Sequence, residues 1–151
     1  MDYNKKPLPP VVGKIGFGLL GVGLLLMILA FVVDTKRAYF DYLWMYMFLV
    51  SIGAGSLALV ALEYLVGATW STPFRRISEF LASLIPLLVI LVIPLIFGMH
   101  DLFHWTHEST LASDPLLQAK EPYLNVQFFL IRTAIILFIW VLFYFLFTRN
   151  S

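Results

Sequence analysis

The stretch Phe80–Met99 reads FLASLIPLLVILVIPLIFGM and runs without a gap into His100-Asp101-Leu102-Phe103-His104-Trp105-Thr106-His107. A hydrocarbon core of about 30 Å needs roughly 20 helical residues at 1.5 Å each, and this run supplies that length with no charge in it. It reads as a membrane span that leaves the bilayer carrying three histidines. They stand at i, i+4 and i+7, a spacing that puts all three on one face if the helix continues. Titratable groups at the edge of hydrocarbon are costly, and they mark routes for protons, ions or redox carriers.

Working outward, three further stretches qualify as spans: Val11–Val33, Tyr42–Val66 and Val126–Phe147. A barrel would instead show alternating segments of about ten residues, and these runs do not alternate. The expected fold is all-α, a polytopic membrane protein with four transmembrane helices in an up-down bundle. Residues 1–10 form a tail, 11–151 the bundle, and about 105–125 the longest connection. Composition agrees: 61% of the 151 residues are hydrophobic and 13% charged, against roughly 25% charged in soluble domains. Mean hydropathy is +0.90. A net charge of +1 does not fit a strongly basic nucleic-acid binder. With no cysteine, disulfides, thiolate metal sites, Fe–S ligation and c-type haem attachment are excluded within this sequence.

Lys5 and Lys6 before an apolar run imitate a signal peptide, but Val11–Val33 is too long for a signal core and Asp34-Thr35-Lys36-Arg37 offers no small-residue cleavage site. The run is read as a retained first span. Six basic residues (Lys5, Lys6, Lys14, Arg75, Arg76, Arg149) fall on one side of the four spans and three (Lys36, Arg37, Lys120) on the other. The excess places both ends of this segment and the Arg75–Arg76 turn in the cytoplasm. The His100–His107 end then faces outward, to the periplasm of a bacterial inner membrane.

Gly16, Gly23 and Ala30 recur every seven residues in the first span, and Ser51 and Gly55 stand four apart in the second. Both patterns permit close helix approach. Gly16-Phe17-Gly18-Leu19-Leu20-Gly21 matches a dinucleotide-binding pattern by letter only, since no strand precedes it. Pro86 and Pro94 bend the third span and free carbonyls that neighbours or water must satisfy, either as plain bending or as a polar opening. Asp114-Pro115 and Thr72-Pro73 read as helix starts, the first opening a short surface helix over Leu116–Lys120. Trp70 and Phe74 sit at interface depth.

Two ionisable groups lie inside apolar spans. Glu63, about one turn from the end of the second, either reaches headgroups or pairs with Arg75 or Arg76, or takes up and releases protons. Arg132 lies about 9 Å inside the fourth span at 1.5 Å per residue. An antiparallel neighbour brings it to the depth of His100 and Asp101, so an Arg132–Asp101 pair is expected, with snorkelling to the headgroups as the alternative. Haem ligation by two histidines is disfavoured, because facing helices normally supply the pair and all three here share one segment. A metal held by His100 and His104 at i, i+4 is geometrically possible. Proton handling or a hydrogen bond to a quinol headgroup is another reading, and a partner-contacting cluster without chemistry is a fourth.

Particular stretches carry a family likeness. Gly98-Met99-His100-Asp101-Leu102-Phe103-His104-Trp105, Asp114-Pro115-Leu116-Leu117, Tyr123-Leu124-Asn125, Ile131-Arg132 and Arg149-Asn150-Ser151 resemble the ActF family. So does the turn from Ala68-Thr69-Trp70-Ser71 to Arg75-Arg76. These are the second large membrane subunits of bacterial alternative complex III, related to the NrfD and polysulfide-reductase membrane subunits. The likeness covers roughly Met47 to Ser151, and the first span is generic. It implies an all-helical inner-membrane subunit of a quinol:electron-acceptor oxidoreductase, with cytochrome c or a high-potential iron–sulfur protein (HiPIP) as acceptor.

The same likeness implies quinone contact or proton conduction through His100, Asp101, His104 and Arg132, with His107 and Glu63 as further candidates. Menaquinone or its quinol is the implied ligand, and nothing is bound covalently. Haem and Fe–S clusters belong to partners, the periplasmic ActA-, ActB- and ActE-like subunits. An ActC-like membrane subunit, an ActD-like subunit and membrane lipid complete the surroundings, with no nucleic acid. Family members are longer, so the chain is expected to be the N-terminal part of a larger subunit. It would be no enzyme on its own. A structural scaffold needed for assembly is the alternative, and a stand-alone four-helix transporter a third reading.

Overall fold

The computed structural model describes residues 9–67, 72–107 and 115–149, with no strand among them. The expected Asp114 cap, Trp70 at the interface and the tail through Leu8 lie outside the described residues. Four helices are long and apolar enough to cross a membrane: Pro10–Val33, Thr35–Val66, Phe74–Phe97 and Val126–Arg149. The chain divides into two units, the first ending at Ala38 and the second beginning at Tyr39.

The first unit holds α1 (Pro10–Val33), which opens with proline at its first position, where no backbone donor is needed. None of its residues is buried, and Gly16 and Gly23 have no described atom within 4 Å of an added Cβ. The helix stops at Asp34, whose extended backbone (φ −151°, ψ 94°) still donates to the Ala30 carbonyl. The Asp34 carboxylate then accepts the Arg37 N–H at 3.1 Å and so caps the next helix, α2 (Thr35–Val66). The α2 helix therefore begins well before the expected Tyr42. Hydropathy locates where lipid starts, whereas the cap locates where the helix starts. Gly67, at φ +62°, ends α2 in the left-handed conformation that glycine adopts without Cβ strain.

In the second unit α3 (Thr72–Ala82), α4 (Leu84–Leu91) and α5 (Ile93–Phe97) form one bent crossing, and α6 (Met99–Leu102) extends it. The interruptions at Ser83 and Val92 precede Pro86 and Pro94, each of which removes an intrahelical donor. They are bends, because Val92 N–H still reaches the Leu88 carbonyl (3.0 Å) and Ile96 N–H the Val92 carbonyl (3.2 Å). Three residues before Pro94 the hydroxyl of Tyr42 donates to the Leu91 carbonyl at 2.8 Å. The neighbouring helix thus meets the broken span at its bend, as hydrocarbon requires. A 3₁₀ turn (His104–Thr106), α7 (Pro115–Lys120) and α8 (Val126–Arg149) complete the chain. Asn125 caps α8: its side-chain oxygen accepts Phe128 N–H at 2.7 Å while its amide donates to the carbonyls of Glu121 and Pro122.

Contacts along α2 fix the topology. Tyr42 meets Leu91, Gly53 meets Ile85 and Leu88, and Tyr64 lies under the Arg75 guanidinium, so α2 runs antiparallel to α3–α5. Tyr46 shares a cleft with Thr133 and Leu137 while Tyr64 hydrogen-bonds the Phe147 carbonyl, so α2 runs parallel to α8. Ile85 and Leu88 have no exposed surface, and Leu57, Ala82 and Ile85 pack against Trp140, Val141, Tyr144 and Phe147. The small residue at closest approach is Gly53, where a Cβ would stand 3.3 Å from Ile85, and Gly55 faces open space. The expected Ser51–Gly55 face is therefore displaced by part of a turn.

At the other end of this unit Gly98 packs directly against the ring of Tyr39, and an added Cβ would overlap the ring carbons. Gly98→Ala should lower stability by about 1–3 kcal/mol, the cost of overpacking a filled site. Thermal unfolding in lipid nanodiscs measures it, and an unchanged midpoint would show that Tyr39 moves aside freely.

Candidate functional site

The residues after Gly98 build the histidine end. Met99 and Leu102 of α6 are buried against the bundle, while His100 and Asp101 on the same short helix are exposed. Helix then gives way at Phe103, whose backbone is extended (φ −119°, ψ 113°). The expected single face carrying His100, His104 and His107 is not present, because its periodicity ends there. The 3₁₀ turn folds the chain back instead. It sets His107 against His100 with ring centroids 4.0 Å apart and planes 51° from parallel, and leaves His104 exposed.

Thr106 sits between these rings in sequence and in space. Its hydroxyl donates to the Phe103 carbonyl at 2.7 Å and stands 3.4 Å from Nδ1 of His100. The turn is clamped from the other side by aromatic packing: Phe103 stacks on Trp105 at 5.4 Å, and both touch Phe129 near the start of α8, at 5.7 and 5.8 Å. Two imidazoles on one tetrahedral zinc would hold their centroids about 5 Å apart, so the His100–His107 geometry is that of two tilted rings in direct contact. His100 and His104 are not brought together, and no group of three His, Cys, Asp or Glu side chains gathers among the described residues.

Arg132 departs from its expected partner. Among the described residues it forms no ion pair with Asp101, and the ion pair present is Arg75–Glu79. Its guanidinium lies over the ring of Tyr123 at 4.2 Å, with Phe128 and Phe129 at 5.6 and 5.7 Å. The reason is helical geometry. Side chains lean toward the helix N-terminus, and positions i−4 and i−3 from Arg132 are those two phenylalanines. The long stem rises past them to Tyr123, as in snorkelling, and Nη1 is left buried without a hydrogen-bond partner.

Glu63 belongs to the opposite end of the second unit. Arg75 binds Glu79 at 3.2 Å and covers Tyr64 at 3.9 Å, so the expected Glu63–Arg75 pairing does not form. Glu63 keeps one carboxylate oxygen, Oε2, buried and without a partner, and so does Arg75 with Nη2. Tyr64 ties this corner to α8 through its 3.0 Å bond to Phe147 and a ring contact at 5.4 Å. The six singled-out residues thus divide into a histidine turn with Asp101, an arginine–aromatic cluster that shares Phe129 with that turn, and a distant carboxyl.

An apolar groove of about 320 Å³ runs between the bent crossing and α8, lined by residues including Val89, Val92, Ile96, Leu130 and Thr133. It ends at Ile96, one turn below His100. Sequence reasoning missed this groove, the Tyr123 partner and the Asn125 cap. The last was detectable as an Asn standing immediately before an apolar run. No family model and no curated protein matches the chain.

The folded-back turn has a spectroscopic consequence. Replacing His107 by alanine should shift the ring resonances of His100 in lipid nanodiscs, because a neighbouring ring is removed, whereas His104→Ala should leave them in place. The reverse pattern would restore a continuous helix through Trp105.

Proposed function

We propose that the chain is an integral-membrane subunit of a respiratory quinol:electron-acceptor oxidoreductase of the alternative complex III type, contributing quinone contact or proton transfer. The observation that carries this reading is the placement of two imidazoles in contact, His100 and His107, one turn above an apolar groove open along the span. A quinol needs both features: a groove for its isoprenoid tail and proton acceptors beside its headgroup, since oxidation releases two protons. Asp101 and His104, exposed on the same turn, are the onward carriers to water.

The likeness of His100–Trp105, Tyr123–Asn125 and Arg132 to the ActF family supports the same reading. Under it, redox centres sit on partner subunits, and the membrane is the bacterial inner membrane. The excess of Lys and Arg on the Arg75–Arg76 side supports a periplasmic histidine end. A scaffold role is favoured by a different observation: α1 is apolar along its length and has no buried residue.

Alanine at His100, Asp101 or His104 in the assembled complex should slow quinol-dependent acceptor reduction roughly tenfold or more, within the range removed with a general base. Turnover per assembled complex, with assembly read on native gels, is the measurement. Normal turnover with reduced assembly would establish the scaffold role instead.

A further inference from the structure

Arg132 has a binding requirement that this chain does not meet. Its side chain carries five N–H donors and no acceptor, and an unpaired donor away from water is unfavourable. The three aromatic rings around it satisfy the charge through their faces but accept no in-plane hydrogen bond. Nη1 is buried with no partner, and no carboxylate pairs with Arg132 among the described residues.

The direction in which the cluster faces identifies what supplies the acceptor. Leu130, Thr133, Ala134, Leu137 and Val141 turn toward the groove beside α4–α5, while Ile136 and Trp140 turn toward α2. At 3.6 residues per turn, Arg132 lies about 170° from the centre of the groove face and about 90° from the α2 side. It is therefore on the lipid-facing side of α8, roughly 9 Å along the helix from its start, with its head drawn up toward an exposed Tyr123. That is the depth at which a snorkelling cation meets headgroups.

We infer that Arg132 and Tyr123 form a binding site for the phosphate of an anionic phospholipid in the adjoining leaflet. A guanidinium presents paired donors matched to a phosphodiester, supplied here by Nε and Nη2 because Nη1 is already covered by protein, and Tyr123 holds its plane in position. Lys120, exposed at the end of α7, stands one turn before Tyr123, whose N–H bonds the Lys120 carbonyl at 2.9 Å, and it adds a second positive charge at the rim. Phe128, exposed beside the guanidinium, flanks the lipid's upper chain. The site is independent of quinone chemistry, because it lies on the far face of α8 from the groove.

The test is native mass spectrometry of the full chain released from nanodiscs of phosphatidylcholine doped with phosphatidylglycerol. One phosphatidylglycerol should be retained, and Arg132→Gln should reduce retention about tenfold, the loss of one charge-assisted hydrogen bond. Tyr123→Leu keeps the charge but not the ring, and should weaken retention while leaving the helix content intact; it also serves if Arg132→Gln does not fold. Excess inorganic phosphate should not displace the lipid, since it lacks the chains that Phe128 contacts. Equal retention in wild type and both variants, or displacement by phosphate or by a quinone analogue, would overturn the assignment.

Discussion

A single side chain closes the weakest point of the second unit. Two prolines break the third crossing, and in hydrocarbon a freed carbonyl has no water to turn to. The hydroxyl of Tyr42 reaches across from α2 to the Leu91 carbonyl at 2.8 Å, beside the bend that Pro94 creates. Below it, Gly53 lets α2 lie close against Ile85 and Leu88; above it, Gly98 accepts the face of Tyr39. Apolar burial gives little drive to helices already in lipid, so close packing and a few directed hydrogen bonds decide the arrangement. The bend then determines where α6 points and where the histidine turn begins.

From that turn upward, backbone geometry governs the chemistry. Had helix continued through Phe103, three imidazoles would line one face at separate heights. The extended residue instead folds His107 onto His100 and exposes Asp101 and His104 to the surroundings. Phe103, Trp105 and Phe129 lock the fold-back to the start of α8, whose own first turn is fixed by Asn125. Arg132 meets this cluster only through Phe129, 5.7 Å from its guanidinium, and carries its head to Tyr123 instead.

Length and hydropathy made the crossings legible. The first and fourth came out within two residues of the observed helices, because their apolar runs coincide with their caps. The second did not, since Asp34, Lys36 and Arg37 look like a loop but fold as the capped first turn of α2. The prolines announced the bends but not the tyrosine that meets one of them. Periodicity grouped the three histidines correctly in one segment and wrongly on one face, because spacing assumes the helix that Phe103 ends. Charge complementarity favoured Asp101 for Arg132, yet aromatic neighbours at i−4 and i−3 lay nearer along the path its side chain takes.

The most direct measurement is hydrogen–deuterium exchange of Tyr42→Phe against the unaltered chain in lipid nanodiscs, followed over residues 92–102. Interhelical hydrogen bonds in membranes contribute from about 0.6 kcal/mol upward, so loss of this one should speed exchange there about threefold to tenfold. Exchange at Val126–Arg149 should stay as it was. Identical exchange over residues 92–102 in both proteins would contradict the account, showing that the bent crossing holds its shape without the tyrosine.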